Sequence, residues 1–452
     1  MSDQSLLLFQ LGPVQSFIAQ AETIGDLAAG SDLLSQVTAA ALEKVTKDNA
    51  SKVVFPNKEG NENLKGIPNR FLVFVPREEA KKLAEDARRA AQEKLKELAE
   101  DARKKVADKD AFDKQIEAFL QITWAILEHP TGNMGADYEE VGRLMALRRN
   151  TREFKAWHEV GGQVKDFLSG KENALNVEKT LGAMNLTKRE LSQQFSLALP
   201  TYFAVVAMDG DNMGKALSTF ETVKDHQDFS KALTDFAKRV KEISNSEEYK
   251  ATLIYAGGDD VLAIIDAKKA VAYAQDLSGT FREVVKVNGV SKTASAGIAI
   301  AHKTTPLQDV VHAAHKAESQ AKQVYRRDAL ALAIYKRSGE ILGWGCRWDS
   351  PALEIYKKLS ELDRQQRQIG GFPYKLSRLL QPYELNGAIP NGMHDVVMAE
   401  FKHAVAQTEG IKGELDERQV ETYLVQCESK RIEDFLTLFL VEAFINRPPK
   451  EN

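Results

Sequence analysis

At 452 residues the chain is long enough for roughly three ordinary domains of ~150 residues. With 43% hydrophobic and 28% charged residues, it is neither globally disordered nor of low complexity. The net charge of −4 gives no long-range basic field, and two cysteines, Cys346 and Cys427, build neither a disulfide framework nor a four-cysteine zinc site. No stretch approaches ~18 uncharged apolar residues, so no membrane span is expected. Met1 to Leu11 lacks the basic region of a signal peptide, and a cytoplasmic location follows as an expectation.

In chain order, Ser5 to Leu11 reads as a buried strand closed by Gly12-Pro13, and a helical stretch follows from about Val14 to Val45. Val53–Pro56 and Arg70–Pro76 read as paired strands. Arg77 to about Val106 has no Gly or Pro and reads as a long helix, and Gln121–Leu127 as a fourth strand. The order strand, helix, strand, strand, helix, strand is a βαββαβ unit. Residues 128–199 are polar, interrupted by glycines and mostly helical, a connector.

The order then repeats. Tyr202–Met208 is an apolar strand ending at Asp209-Gly-Asp211, and a helix spans about Gln227 to Ile243. Ala251–Ala256 and Val261–Ile265 flank the hairpin tip Gly257-Gly-Asp-Asp260. A helix from about Lys268 to Lys286, a strand Thr293–Ala301 and a helix from Pro306 to about Arg326 complete the second copy. The chain after Trp348 reads as helical, with a loose tail, Arg447–Asn452. The expected fold class is α+β. Two ferredoxin-like βαββαβ domains occupy 1–127 and 200–335, joined by the connector 128–199 and followed by a helical domain 336–452.

The chemistry concentrates in the second copy. Adjacent strands carry Asp209 and Asp211 at one strand end and Asp259 and Asp260 at a Gly-Gly turn. Each motif alone is a common turn. Together they gather four carboxylates that repel unless cations lie between them. Oxygen-only donors select Mg²⁺ or Mn²⁺, and two such ions ~4 Å apart suit in-line attack on phosphorus. Lys322, late on the Pro306 helix, is placed to reach a triphosphate, and Ser295-Ala-Gly297 to line the same cleft. His312 and His315 lack a third ligand, and Arg77 to Arg103 alternates charge as a solvated helix face does.

Leu11-Gly-Pro-Val-Gln-Ser-Phe-Ile18 with Asp26-Leu-Ala-Ala-Gly-Ser-Asp-Leu-Leu-Ser35 resembles the opening of the first Palm domain in large subunits of Cmr-type (type III-B) CRISPR effector complexes. Asp209-Gly-Asp-Asn-Met-Gly214, Gly257-Gly-Asp-Asp260, Ser295-Ala-Gly297 and Ala321-Lys322 resemble the second Palm, and Arg337–Glu340 with Gly343–Trp348 the segment after it. The resemblance implies two Palm domains of the GGDEF and adenylyl cyclase type. They would bind ATP and make cyclic oligoadenylates when the complex meets target RNA. By position, Asp209, Asp259 and Asp260 would hold metal and Asp211 would complete the catalytic set. Gly257, Gly258, Ser295 and Lys322 would contact nucleotide, and Gly30, Ser31 and Ser35 would form the first Palm's pocket. Implied partners are a small subunit, a Cas5-like subunit, backbone subunits, guide RNA and target RNA. Val164–Gly170 resembles a zinc knuckle without its cysteines, so no zinc is expected, and neither is nuclease activity of the HD type. Two other readings stay open: transfer of AMP to S-adenosylmethionine by the same site, and a non-catalytic scaffold. A free diguanylate cyclase fits less well, because Val261 follows Asp260 where that family has Phe.

Overall fold

The computed structural model describes residues 3–47, 51–57, 66–151, 163–176, 178–193, 199–367, 369–383, 392–428 and 432–446. The first unit runs β1 (Gln4–Gly12), α1 (Gln15–Ala19), α2 (Ile24–Thr46), β2 (Lys52–Phe55), β3 (Arg70–Pro76), α3 (Ala80–Lys104), α4 (Lys109–Phe119) and β4 (Gln121–Leu127). Its antiparallel sheet has the order β2-β3-β1-β4, with Leu8 paired to both Leu72 and Ala125. Helices cover both faces, which is why β1 is a nearly continuous apolar run. Leu7, Phe9 and Leu11 enter the core under α2 and α3, while Leu6 and Leu8 pack with Met134, Val141 and Met145 of α5 (Met134–Asn150). On α3 the buried stripe is mostly alanine (Ala80, Ala84, Ala87, Ala91, Ala99 and Ala102), and small side chains let two helices lie close.

Two sequence expectations change here. The first helix breaks at 20–23, because Thr23 and Asp26 cap a new one: the Thr23 hydroxyl accepts from Asp26 N (3.2 Å), and the Asp26 carboxylate from Thr23 N (3.0 Å). The extra helix α4, capped by Asp108, follows α3 in the chain and packs against it.

The connector contributes α5 and α6 (Ala183–Ser192). Between them, Val164–Gly170 wraps around Asp166 instead of forming a helix. Its buried carboxylate accepts from Leu168 N (2.8 Å), Ser169 N (2.7 Å), Gly182 N and the Asn185 amide (3.1 Å).

The second unit runs β5 (Tyr202–Gly210), α7 (Met213–Leu217), α8 (Val223–Asn245), β6 (Thr252–Gly257), β7 (Asp260–Asp266), α9 (Ala270–Val284), the short pair β8 (Lys286–Val287) and β9 (Val290–Ser291), β10 (Ala294–His302), α10 (Leu307–Gln323), β11 (Ala329–Tyr335) and β12 (Ile341–Arg347). The order β10-β5-β7-β6 repeats the first unit's topology. β11 joins parallel to β10 through α10, and β12 hairpins back onto β11. The boundary expected at residue 335 is therefore displaced. Trp344 and Cys346 face inward from β12, and the Trp344 indole donates to the Tyr423 hydroxyl (2.9 Å). The helical part begins only at α11 (Pro351–Arg364) and continues with α12 (Phe372–Leu380), α13 (His394–Ala406), α14 (Glu417–Glu428) and α15 (Ile432–Ile445). The tail Arg447–Asn452 lies outside the described residues.

The alternation of β5 decides where the site forms. Ala204, Val206 and Met208 pack with α8, α9 and the C-terminal helices. Phe203, Val205 and Ala207 point the other way, into a core shared with α2, α3 and α10. The two units are thus joined by one apolar core on the face of β5 that also carries Asp209.

On that face α10 lies directly on β10. A Cβ at Gly297 would collide with the backbone of Ala314 and Glu318. Gly297→Ala is therefore expected to destabilise the chain by ~1–3 kcal/mol, as overpacked cores do. An unchanged urea midpoint would show that α10 shifts freely.

Candidate metal and nucleotide site

Asp209 is the next inward residue after Phe203, Val205 and Ala207, and Asp260 shares a face with Leu262 and Ile264. Antiparallel pairing of Met208 with Val261 makes Asp209 and Asp260 neighbours. Gly257 pairs with Asp260 across a two-residue turn, and Gly258 occupies its first position at φ 65°, a conformation that suits glycine. A Cβ at Gly210 would stand 2.9 Å from that of Asp259, so glycine there admits the turn. One oxygen each from Asp209, Asp259 and Asp260 lies within 4.8 Å of the others.

This gathering is electrostatically expensive. Burial, and then the charge of Asp209, push the Asp259 carboxyl up to about 6. Asp260 is raised well above the carboxylate range by burial, then by its hydrogen bond to Asp209. Lys322 on α10 supplies the nearest positive charge, donating to Asp209 Oδ2 and to Glu318 Oε1 (2.8 Å). Burial works to lower its pKa, but the two carboxylates outweigh that and hold it above the ordinary range. The Arg70 guanidinium of β3 acts on Asp259 from the first unit. Burial, with the charges of Asp260, Glu318 and Asp209, raises the Tyr255 phenol.

Glu318, Tyr255 and Arg70 were absent from the sequence expectation. Only the spacing of four between Glu318 and Lys322 on one helix announced a pairing. His315 Nδ1 meets Glu318 at 3.4 Å, whereas His312 points to solvent, so the two histidines do not form a joint site.

Asp211 is a correction. It does not join the triad: Oδ1 accepts from Ser295 Oγ (2.8 Å), and Oδ2 from Thr293 Oγ1 (2.8 Å) and Asp328 N (2.9 Å). These bonds fasten the start of β10 and the turn after α10. In that turn Arg326, Arg327 and Asp328 all take positive φ, at 64°, 64° and 49°. The chain reverses at Asn212 (φ 58°), just past the strand end, and strand alternation no longer applies to Asp211. Ser295 is fully buried in this latch, and the room at Gly297 is filled by α10, so neither faces a ligand.

The first-unit residues also differ from expectation. Gly30 seats Lys188 of α6: a Cβ there would stand 3.2 Å from Lys188 Cδ. That ammonium is 1% exposed, donates to Phe17 O (2.6 Å) and Gln20 O, and burial pushes its pKa down to about 7. Ser31 is partly exposed on α2. Ser35 accepts from Ile67 N (2.8 Å) and so supports the loop whose Gly66 carbonyl faces Gly257. Between that loop and α8 opens a cavity of about 700 Å³, lined by Phe55, Pro68, Lys238, Tyr255, Gly257 and Gly258. Its size is that of a small-molecule site. The carboxylates themselves line neither this cavity, which ends at Gly257 and Gly258 of their turn, nor a larger one of about 1210 Å³ between α9, α11 and α15, away from that turn.

Three oxygen donors without His or Cys fit a hard divalent cation. The two groups of acidic residues are expected to part in a metal-free unfolding experiment at pH 7.5. Asp259→Asn removes a carboxyl whose folded pKa lies above its unfolded value, a group that destabilises the fold once ionised, so the melting temperature rises. Asp211→Ala strands buried donors at ~1–3 kcal/mol each, so the melting temperature falls. Equal shifts for both variants would contradict the division.

Residues 202–331 match the family model for the second palm domain of Cas10/Cmr2, and residues 6–100 that for the N-terminal region of the CRISPR-associated protein Cmr2. The chain is similar to the CRISPR system Cmr subunit Cmr2 of Pyrococcus furiosus, at 30% identity over 217 residues, 41% of this chain and 24% of that protein. It is also similar to the single-strand-specific deoxyribonuclease Cas10/Csm1 (subtype III-A) of Streptococcus thermophilus, at 28% over 195 residues, 40% of this chain and 24% of that protein. These matches span about a quarter of each relative's length. In fold, it is similar to a chain of the type III-B Cmr-β complex in its apo state, with a TM-score of 0.65, 10% identity and coverage of 99% and 82% of the two chains. It is likewise similar to a chain of the Csm1–Csm4 cassette in complex with cA4, with a TM-score of 0.60, 14% identity and coverage of 98% and 70%. No described helix is long and apolar enough to cross a membrane. With the Cmr2 models matching both units and the second enclosing the carboxylate turn, the chain belongs to the Cas10/Cmr2 family of Cmr-type large subunits.

Proposed function

We propose that this chain is the nucleotidyl-transferring large subunit of a type III-B CRISPR effector complex. In this reading it joins ATP into cyclic oligoadenylates when target RNA is bound. The observation that carries it is the convergence of Asp209, Asp259 and Asp260 beside a cavity walled by both units. The ligands of similar chains support it: Csm1–Csm4 cassettes are described with AMPPNP, pppApA and cA4.

Asp209, Asp259 and Asp260 would hold Mg²⁺ or Mn²⁺, which when bound would neutralise charge at the triphosphate and favour ionisation of the attacking hydroxyl. The chain's own groups do the rest. One of the hairpin carboxylates, Asp259 or Asp260, ionised once the cation is bound, would accept the proton leaving a ribose hydroxyl. The ribose oxygen forms a bond to the α-phosphorus of a second ATP, and the bond to pyrophosphate breaks. Lys322 takes the negative charge of the departing pyrophosphate, and Arg70 brings a second cation from the first unit. Tyr255 and Gly258 wall the cavity that receives a nucleoside, and ring closure repeats the same exchange within one chain of adenylates.

A chain similar to this one occurs in the Cmr-β complex bound to cognate target RNA. The proposed partners are accordingly a small subunit, a Cas5-like subunit, backbone subunits, guide RNA and target RNA, in the cytoplasm.

The test is mass spectrometry of products from the reconstituted complex given ATP, Mg²⁺ and target RNA, with and without S-adenosylmethionine. Cyclic oligoadenylates are expected. Asp259→Ala with Asp260→Ala is expected to lower their yield by ~10³-fold or more, because the metal clamp is worth several kcal/mol, while the complex still assembles on its RNA. Normal synthesis by that double variant would refute the assignment. A product carrying S-adenosylmethionine would keep the site but change its acceptor.

A further inference from the structure

The carboxylate cluster is larger than the metal triad, and it already contains a cation. Asp209, Asp259, Asp260 and Glu318 stand against Lys322, with Arg70 and His315 at the margin. The Lys322 ammonium bonds Asp209, one of the three residues that would hold a divalent ion. A divalent ion in the triad and an ammonium on Asp209 would be two cations within ~4 Å, and at that distance their repulsion is strong even with partial screening. They do not share Asp209 comfortably.

Glu318 gives the ammonium somewhere else to stay. It lies one turn before Lys322 on α10 and bonds Nζ at 2.8 Å. Its side chain is 14% exposed, and its other oxygen faces His315. Lys322 has a long, flexible stem, so its Nζ can leave Asp209 without leaving Glu318.

We propose that Lys322 is an exchangeable counter-ion that pivots about Glu318, resting on Asp209 in the nucleotide-free chain and moving to the phosphates when metal and nucleoside triphosphate enter together. Glu318 is then a positioning residue that keeps the ammonium beside the site in both arrangements. The consequence is coupling: metal alone binds weakly, and nucleotide strengthens metal binding by drawing the lysine away. This rests on the metal-binding reading of the triad given above.

The experiment measures Mn²⁺ binding to the full chain by the electron-paramagnetic signal of free Mn²⁺, with and without a non-hydrolysable ATP analogue. For the wild type, the analogue tightens Mn²⁺ binding. Lys322→Met is expected to tighten nucleotide-free binding on the order of tenfold, and the further gain from the analogue largely disappears. Lys322→Arg, which keeps the charge, retains the wild-type weakness without nucleotide. Glu318→Gln weakens nucleotide-free binding, because the ammonium is left with Asp209 as its charged partner. The proposal is overturned if Lys322→Met leaves nucleotide-free affinity unchanged or weaker, or if Lys322→Arg tightens it as Met does. A separate outcome addresses the underlying reading: if Asp259→Asn with Asp260→Asn leaves Mn²⁺ binding at the wild-type level, the triad is not the metal site at all.

Discussion

Mutual repulsion among carboxylates withdrawn from water is the constraint around which this molecule is arranged. Asp209, Asp259 and Asp260 would separate if backbone geometry allowed it, and their raised protonation reports that tension. The register of β5 with β7 prevents separation, as does the close passage of the turn over Gly210. The third restraint is α10, pressed onto β10 at Gly297 and carrying Lys322 into the cluster. Behind these, Asp211 holds the beginning of β10 and the left-handed turn after α10 in one hydrogen-bonded latch. Stability spent in this way is characteristic of a site that has work to do.

The first unit belongs to the same arrangement. Its helices share a core with the inward face of β5, β7 and β10, so the two units are set against each other by apolar packing. Arg70 reaches Asp259 from β3, and Ser35 fixes the loop that faces the Gly257 turn. Farther back, Arg189 bonds both oxygens of Asp26 at 3.0 Å, and Lys188 lies in the pocket made by Gly30. Burial opposes the Asp26 charge, but the Arg189 bonds outweigh it and leave the carboxyl below its ordinary range. These contacts tie the connector to the helix that packs on the second unit.

How far the sequence was legible depended on which force decided each feature. The strands were readable because apolar runs and glycine turns are local signals, and Gln121–Leu127 has the bounds its composition suggested. The triad was readable because alternation along β5 carries Asp209 to the same face as Asp260. Asp211 was not, because the partners that hold it, Thr293, Ser295 and the Asp328 amide, come from distant parts of the chain. Glu318 and Arg70 were invisible for another reason: each enters the site from an element whose position is set by tertiary packing, α10 by Gly297 and β3 by the shared core. The glycines misled. Gly297 was expected to line the cleft and Gly30 to help form the first unit's nucleotide pocket, but the space beside them is taken by the α10 backbone and by Lys188. In β12, Gly343 and Gly345 disguised a strand, since Gly345 is required by the approach of the Tyr325 ring.

The central claim is that Asp209, Asp259 and Asp260 form one divalent-cation site serving a nucleotide held between the two units. The most direct measurement is a crystal structure of the full chain with Mn²⁺ and a non-hydrolysable ATP analogue, using anomalous scattering to locate manganese. The account predicts anomalous peaks bounded by those three carboxylates, with the analogue's phosphates beside them and its nucleoside toward Tyr255 and Gly258. Manganese bound elsewhere, with the three carboxylates contacting only protein groups, would contradict it.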